Sequence, residues 1–340
     1  MDGPPPTRHA FLYFPDGDLV LMAAGRDGKV AFRIHSSVLG RHSPVFADMM
    51  ALPMAEGTDK YDGIPSVDLQ DDPHDFELFL SSMYKPGHPL FKHYDPDFPV
   101  IAHGVMGLAR KYQVDDLLSA ITNHLVQQWP CSAAELVQFQ ETVRQTIRTT
   151  IEFSNEPTYG IYQSKLPEPA SAVRLAMDFD IPAILPGAFY ILATMNRACV
   201  WTNALGIWHG SDLPARWNVL DEEDNARLLE GQKALAKELL RYQGLFRQQS
   251  RHSRTCQKEW DRLAKHYFDI SDPNLPGDMR AIRRADPMHR LSLLFEDCVT
   301  GELCADCSHG LRVKVKNTML DLWDSLPVMF NLEISQTQYP

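Results

Sequence analysis

No stretch of the sequence is long and apolar enough to cross a bilayer. The longest apolar run, IPAILPGAFYILA at Ile181–Ala193, has 13 residues and carries two prolines, against the ~20 that a spanning helix needs. Basic charge is also short. Lys and Arg number 33 against 44 Asp and Glu, for a formal net charge of −11, which argues against a surface built to hold nucleic acid or anionic lipid. The one basic run, RVKVKN at Arg312–Asn317, is too short to count and reads as a solvated face. Six cysteines in 340 residues make no disulfide framework. The N-terminal stretch has no apolar segment behind basic residues, so no secretory signal is expected. These absences predict an intracellular protein, in cytoplasm or nucleus, with reduced thiols, no membrane partner and no nucleic-acid partner.

Enzyme motifs are missing as well. There is no GxSxG, HExxH, P-loop or GxGxxG. The acid pairs Asp71-Asp72, Asp115-Asp116 and Glu222-Glu223 fall at expected helix starts, where the helix dipole accounts for them. In GIWHGSDLP, His209, Ser211 and Asp212 are neighbours in sequence. A triad needs adjacency in space, so the run reads as a loop.

What is present is a core-forming composition, 44% hydrophobic, in a chain long enough for two domains. Residues 1–10 are Pro-rich and polar and are expected to be disordered. AFLYF at Ala10–Phe14 then puts four large apolar residues just ahead of the first expected strand. In DGDLVLMAAGRDGKVAFRIH, two apolar runs flank GRDG, which supplies hairpin turn chemistry. Val30, Phe32 and Ile34 alternate as in a strand with one buried face. SSVLGRHSPVFADMMAL reads as two short helices. Ser36 or Ser37 can cap the first, and Ser43 with Pro44 can open the second. Glu56–Pro65 is a polar loop and Val67–Asp71 a short strand. Phe76, Phe79, Leu80 and Met83 share a helical face, Pro86–Pro99 is a loop, and two amphipathic helices follow, the second over Asp115–Trp129. Past Pro130 the strand signal fades. Helices are expected near Glu135–Thr149, Ser171–Phe179, Pro186–Met195, a long one capped by Asp221 and Asp224, Thr255–Tyr267 and Leu311–Asp324, with a polar connector at Asn155–Pro169. The fold class is therefore α+β over residues 11–130 followed by an all-α domain over 131–340, predominantly helical overall.

FRIHSSVLGRHSPVF, at Phe32–Phe46, resembles the Phe-x-x-His-x-x-Val-Leu-x-x-x-Ser-x-x-Phe signature of BTB/POZ domains. The matching residues are Phe32, His35, Val38, Leu39, Ser43 and Phe46. The surrounding order of hairpin, strand, helix ending in FLSSMY, and helical pair is similar too, over about Asp16–Trp129. The remainder is similar to the helical C-terminal part of an expanded fungal BTB family, through LARKYQVDDL, ILPGAFY, a late CxxC and the closing WDSLPVMFNL. The resemblance implies that His35 is a structural residue with Phe32, Val38, Leu39 and Phe46 packed around it. It also implies non-enzymatic protein binding, by self-association or as a scaffold. Adaptor duty for a cullin-type ubiquitin ligase is the alternative, and it requires a free helical face near Phe79–Tyr84. A metal-dependent enzyme is the distant third. Phe11, Leu12, Tyr13 and Phe14 are the candidate interface. There are two departures from the pattern. Ser36 stands where repressor-type dimers often carry a basic residue facing an Asp such as Asp18, and the Pro86–Pro99 segment is an insertion.

CVTGELCADCSHG packs Cys298, Cys304, Cys307 and His309 together, and HSRTC offers His252 and Cys256. No catalytic cofactor is expected. Cys304-x-x-Cys307 spacing lets two thiolates share a tetrahedral Zn²⁺, with Cys256 as a third ligand and Cys298, His252 or His309 as the fourth. Buried thiols without metal fit the same residues.

Overall fold

Leu19–Gly25 (β2) and Gly28–Ile34 (β3) pair antiparallel from Leu19 opposite Ile34 to Gly25 opposite Gly28, which is the expected hairpin. The computed structural model describes residues 5–25, 28–52, 59–84, 95–153, 167–201, 213–246, 253–268, 286–300 and 302–333. Outside these lie Arg26 and Asp27 of the hairpin turn, most of the Pro-rich insertion and of the expected connector after Glu135–Thr149, His209, Ser211, Asp212 and His252. The chain divides into two compact units, Met1–Leu125 and Val126–Pro340.

In the first unit the sheet order is β1-β3-β2-β5-β4. Strand β1, Thr7–Tyr13, runs parallel to β3. It begins inside the stretch expected to be disordered, and AFLYF lies largely within it rather than ahead of the first strand. The reason is tertiary. Thr7, Arg8 and Tyr13 pair with β3, and Leu12 is buried. Strand β5, Ile64–Leu69, starts three residues before the expected strand, and the two-residue β4, Lys60–Tyr61, pairs with it at the far edge. Both faces of β3 are covered. Phe32 and Ile34 are buried on one side. On the other, Ala31, Val20 and Met22 form a small cluster under Tyr13, Tyr61 and Ile64.

The helices of this unit are Ser36–His42 (α1), Pro44–Ala51 (α2), Pro73–Tyr84 (α3), Phe98–Lys111 (α4) and Asp115–Gln128 (α5), the last ending just past the unit boundary. Ser43 caps α2 as expected, its Oγ accepting from the N–H of Phe46 at 3.1 Å with Pro44 at the first helical position. The first helix differs. Its cap is His35, with no side-chain capping bond. Helix α3 buries Phe76, Phe79 and Leu80, and Asp72 accepts from the N–H groups of His74 and Asp75 at its start.

The second unit is helical: Ala133–Phe153 (α6), Pro169–Asp178 (α7), Leu185–Thr194 (α8), Glu222–Leu245 (α9), Arg254–Phe268 (α10), Pro287–Thr300 (α11) and Ala305–Met329 (α12). Asp221 and Asp224 close a reciprocal capping box on α9. Arg174 on α7 reaches both, Asp224 at 2.8 Å. Glu168 is fully buried, accepts from the N–H groups of Ala170, Ser171 and Arg216, and faces the Arg216 guanidinium at 3.6 Å, so its charge is met by backbone donors and one ion pair. Gly231 on α9 makes room for the ring of Phe330, which stacks on Phe189 at 5.6 Å. The architecture is thus the expected α+β part followed by a helical part.

Candidate functional site

His35 ends β3 and opens α1. Its backbone N–H donates to the hydroxyl of Tyr84, the last residue of α3, at 2.9 Å, and its ring Nδ1 lies 3.2 Å from the same oxygen. Nε2 faces Asp16 at 3.3 Å. The rings flanking His35 are Phe14 at 5.1 Å and Tyr84 at 6.0 Å. Val38 and Leu39 donate their backbone N–H groups to the His35 carbonyl at 3.0 and 3.4 Å, while the two phenylalanine rings stack on other partners. Phe32 lies against His9 and Phe76, Phe46 stacks on Tyr112, Leu39 is buried, and Val38 is half-buried. Every polar atom of His35 faces a protein group, which is how a residue that ties strand to helix is used.

Ser43 is fully buried and donates its Oγ proton to the carbonyl of Tyr112 at 2.6 Å, clipping α2 to the end of α4. Tyr112 in turn donates to Asp71, which Lys111 approaches at 2.5 Å. Burial, with the Asp71 bond, pushes the Tyr112 phenol well above its usual range. Ser36 donates both its N–H and its hydroxyl to Asp18, at 2.7 and 2.6 Å. Burial alone would raise the Asp18 carboxyl, but the two Ser36 bonds, with Asp18's own backbone N–H and nearby His35, together hold it below its ordinary value. Asp18, which would face a basic residue in a repressor-type dimer, is here bonded within the domain.

The edge strand β1 is distorted. Arg8 sits opposite Ala31 and Tyr13 opposite Arg33, so four β1 residues span the one position held by Phe32. His9 holds this bulge. Its Nδ1 accepts from the N–H groups of Phe11 and Leu12, at 3.2 and 2.9 Å, while its ring stacks on Phe32 at 4.9 Å. An acceptor at Nδ1 places the proton on Nε2, 3.4 Å from Glu77. The outcome is to separate the four candidate interface residues. Leu12 points inward, Tyr13 bonds Asp62, Phe14 stacks on Tyr84, and Phe11 is pushed out with 77% of its surface exposed.

A hairpin, a parallel strand, two short helices clipped by a buried serine, and a helix end that hydrogen-bonds the signature histidine bring a comparison with known families to a decision. Residues 16–128 form a BTB/POZ domain. The match spans a third of the chain, and β1 lies ahead of it. No curated protein matches the chain. BTB domains are protein–protein interaction modules, so the domain's surface, rather than a cleft, is where its chemistry is to be sought. Among the described residues no helix is long and apolar enough to cross a membrane.

The second unit holds the cysteine cluster. The sulfurs of Cys256, Cys304 and Cys307 lie within 4.8 Å of one another. Cys256 is on the first turn of α10, Cys304 is the N-cap of α12, and Cys307 sits on that helix's first turn. The backbone N–H of Cys304 donates to Cys256 Sγ at 3.5 Å. The bond from Ser253, with those from Cys304 and Cys307, draws the Cys256 thiol down to about 7. Cys298 is outside the group. It is buried on α11, where desolvation pushes its thiol up to about 11. His309 is exposed on α12 and is also outside it. No disulfide joins the six cysteines.

Residues that the sequence reading passed over are His9, Tyr84, Tyr112 and Glu168. The first lay in a presumed disordered tail, Tyr84 was read only as the end of a helical face, and Tyr112 as part of an apolar stripe. A buried carboxylate between two prolines reads as a polar connector until the three N–H groups around it are seen.

Proposed function

We propose that the chain is a non-enzymatic association protein whose BTB domain self-associates, with Phe11 and the first helices as the contact surface. The observation that carries this is the extruded Phe11. A fixed, His9-braced bulge holds a phenylalanine in water at the sheet edge, and burying it is worth ~25 cal/mol per Å² of apolar surface. Leu52, which ends α2, adds a second large apolar group at 69% exposure. Two side chains alone fall short of the roughly 800 Å² per partner of a stable interface. The surrounding surfaces of α1 and α2 would complete it.

The cullin-adaptor reading draws no support from the helical face it was expected to use. Phe79 and Leu80 are buried within the domain, and Tyr84 is bonded to His35. The acid pairs that an enzyme reading would recruit sit at helix starts, with Asp72 capping α3, Asp115 and Asp116 opening α5, and Glu222 and Glu223 opening α9.

Light scattering on the full-length protein at tens of micromolar, beside Phe11→Asp, tests the proposal. The expected result is a dimer that the substitution dissociates. Because Phe11 is exposed, the variant should fold. A strictly monomeric parent protein would sink self-association, and a dimer indifferent to Phe11→Asp would remove β1 from the interface.

A further inference from the structure

We infer that Cys256, Cys304 and Cys307 bind one Zn²⁺ that clasps α10 to the start of α12. Two segments far apart in sequence bring three thiols to one point, with all three sulfurs inside 4.8 Å. Tetrahedral zinc at a Zn–S distance of about 2.3 Å sets its sulfurs ~3.8 Å apart, so the group needs to contract by no more than about 1 Å to grip the ion. The surroundings suit thiolates. Cys256 and Cys307 each occupy the third position of their helix, where the positive end of the helix dipole favours a negative sulfur. The N–H of Cys304 already points at Cys256 Sγ, the kind of outer-shell bond that orients a metal-bound sulfur. Cys256 and Cys307 are buried while Cys304 is exposed, so the ion has a route in from solvent and a water can complete the tetrahedron on that side.

Binding exchanges protons for metal. Three thiols and Zn²⁺ give a tris-thiolate zinc and release up to three protons to solvent. No oxidant is involved. The product carries net charge −1, and the ion ties the start of α10 to the start of α12 through its three sulfurs. The clasp joins segments separated by about fifty residues of chain, a closure that restrains the unfolded ensemble.

The test uses the full-length chain, purified under reducing conditions without a poly-His tag. Elemental analysis should find about one zinc per chain. Cobalt(II) added to metal-stripped protein should give thiolate-to-cobalt charge-transfer absorption. Cys304→Ser, at an exposed side chain where folding is not at risk, should weaken uptake of either metal at least about tenfold. Cys131→Ser, outside the cluster, should leave it unchanged. Reduced protein that carries no zinc and shows no cobalt band would overturn the inference. So would zinc content undiminished by Cys304→Ser, or a disulfide within the cluster in freshly isolated protein.

Discussion

Tyr84 and His35 form the smallest unit on which the BTB domain depends. One hydroxyl serves both the backbone N–H that opens α1 and the imidazole. Tyr84→Phe keeps the ring that stacks on Phe14 and removes only the oxygen, so its effect isolates the hydrogen bonds. The N–H of His35 would then lack its acceptor, at a cost of ~1–3 kcal/mol, read as a lower melting temperature. His35→Ala should cost a similar amount, and the double variant less than the sum, because both changes cut the same contact. A melting temperature unmoved by both would refute the peg role. At this scale the sequence reading was uneven for a physical reason. Ser43 was legible because capping is local, requiring only Ser-Pro at a helix start. His9 was not, since its role exists only after β1 pairs with β3 out of register. Ser36 or Ser37 was expected to cap α1; the cap is His35, and Ser36 instead binds Asp18 just ahead of β2, a contact that depends on β2 and α1 being brought together.

Among the elements, α9 shows most clearly how packing overrides propensity. Gly231 lies within its 24 residues, where alanine would ordinarily add up to ~1 kcal/mol of helix stability. A Cβ there would fall 1.9 Å from Phe330, and Phe330 is fully buried against Phe189. Displacing a packed ring costs ~1–3 kcal/mol, so Gly231→Ala should destabilise on balance. Gly244, near the end of the same helix, has nothing within 4 Å of its virtual Cβ, and Gly244→Ala should be neutral or stabilising. Thermal melts of the two variants side by side check the pair, and equal shifts would discredit the packing argument. Amphipathic helices such as α4 and α9 could be read from spacing alone. Helix α11 went unseen because its inner face includes Arg290, buried and donating to the carbonyl of Tyr267. A charge in the apolar stripe hides the period. The break between β4 and β5 was equally opaque, as two-residue strands carry no periodicity.

For the whole chain, charge and association pull in opposite directions. Two copies each at −11 repel over a range that salt shortens to ~8 Å at physiological ionic strength. An interface held by apolar burial should therefore tighten, or at least hold, as salt rises from about 0.01 to 0.15 M. Sedimentation across that range checks it, and dissociation by added salt would indicate an ion-paired interface instead. The two-part organisation was visible in the sequence as a loss of strand signal past Pro130, while the compact units divide between Leu125 and Val126. The sequence reading grouped Cys256 with the Cys304–Cys307 pair, and these three do meet, but it could not choose among Cys298, His252 and His309, because which further candidates converge depends on how the helices pack.

The bulge in β1 has a bearing on how such a protein avoids polymerising. An open, regular sheet edge is a template that can be copied by chain after chain, the route to fibrils. Among the described residues the two outermost strands are poor templates for such copying. At one side β4 is two residues long, and at the other the His9-braced bulge consumes the N–H groups of Phe11 and Leu12 that an incoming strand would need. What the edge offers is a side chain and not a backbone ladder. A contact made through the Phe11 side chain would not hand the backbone ladder of the sheet on from chain to chain.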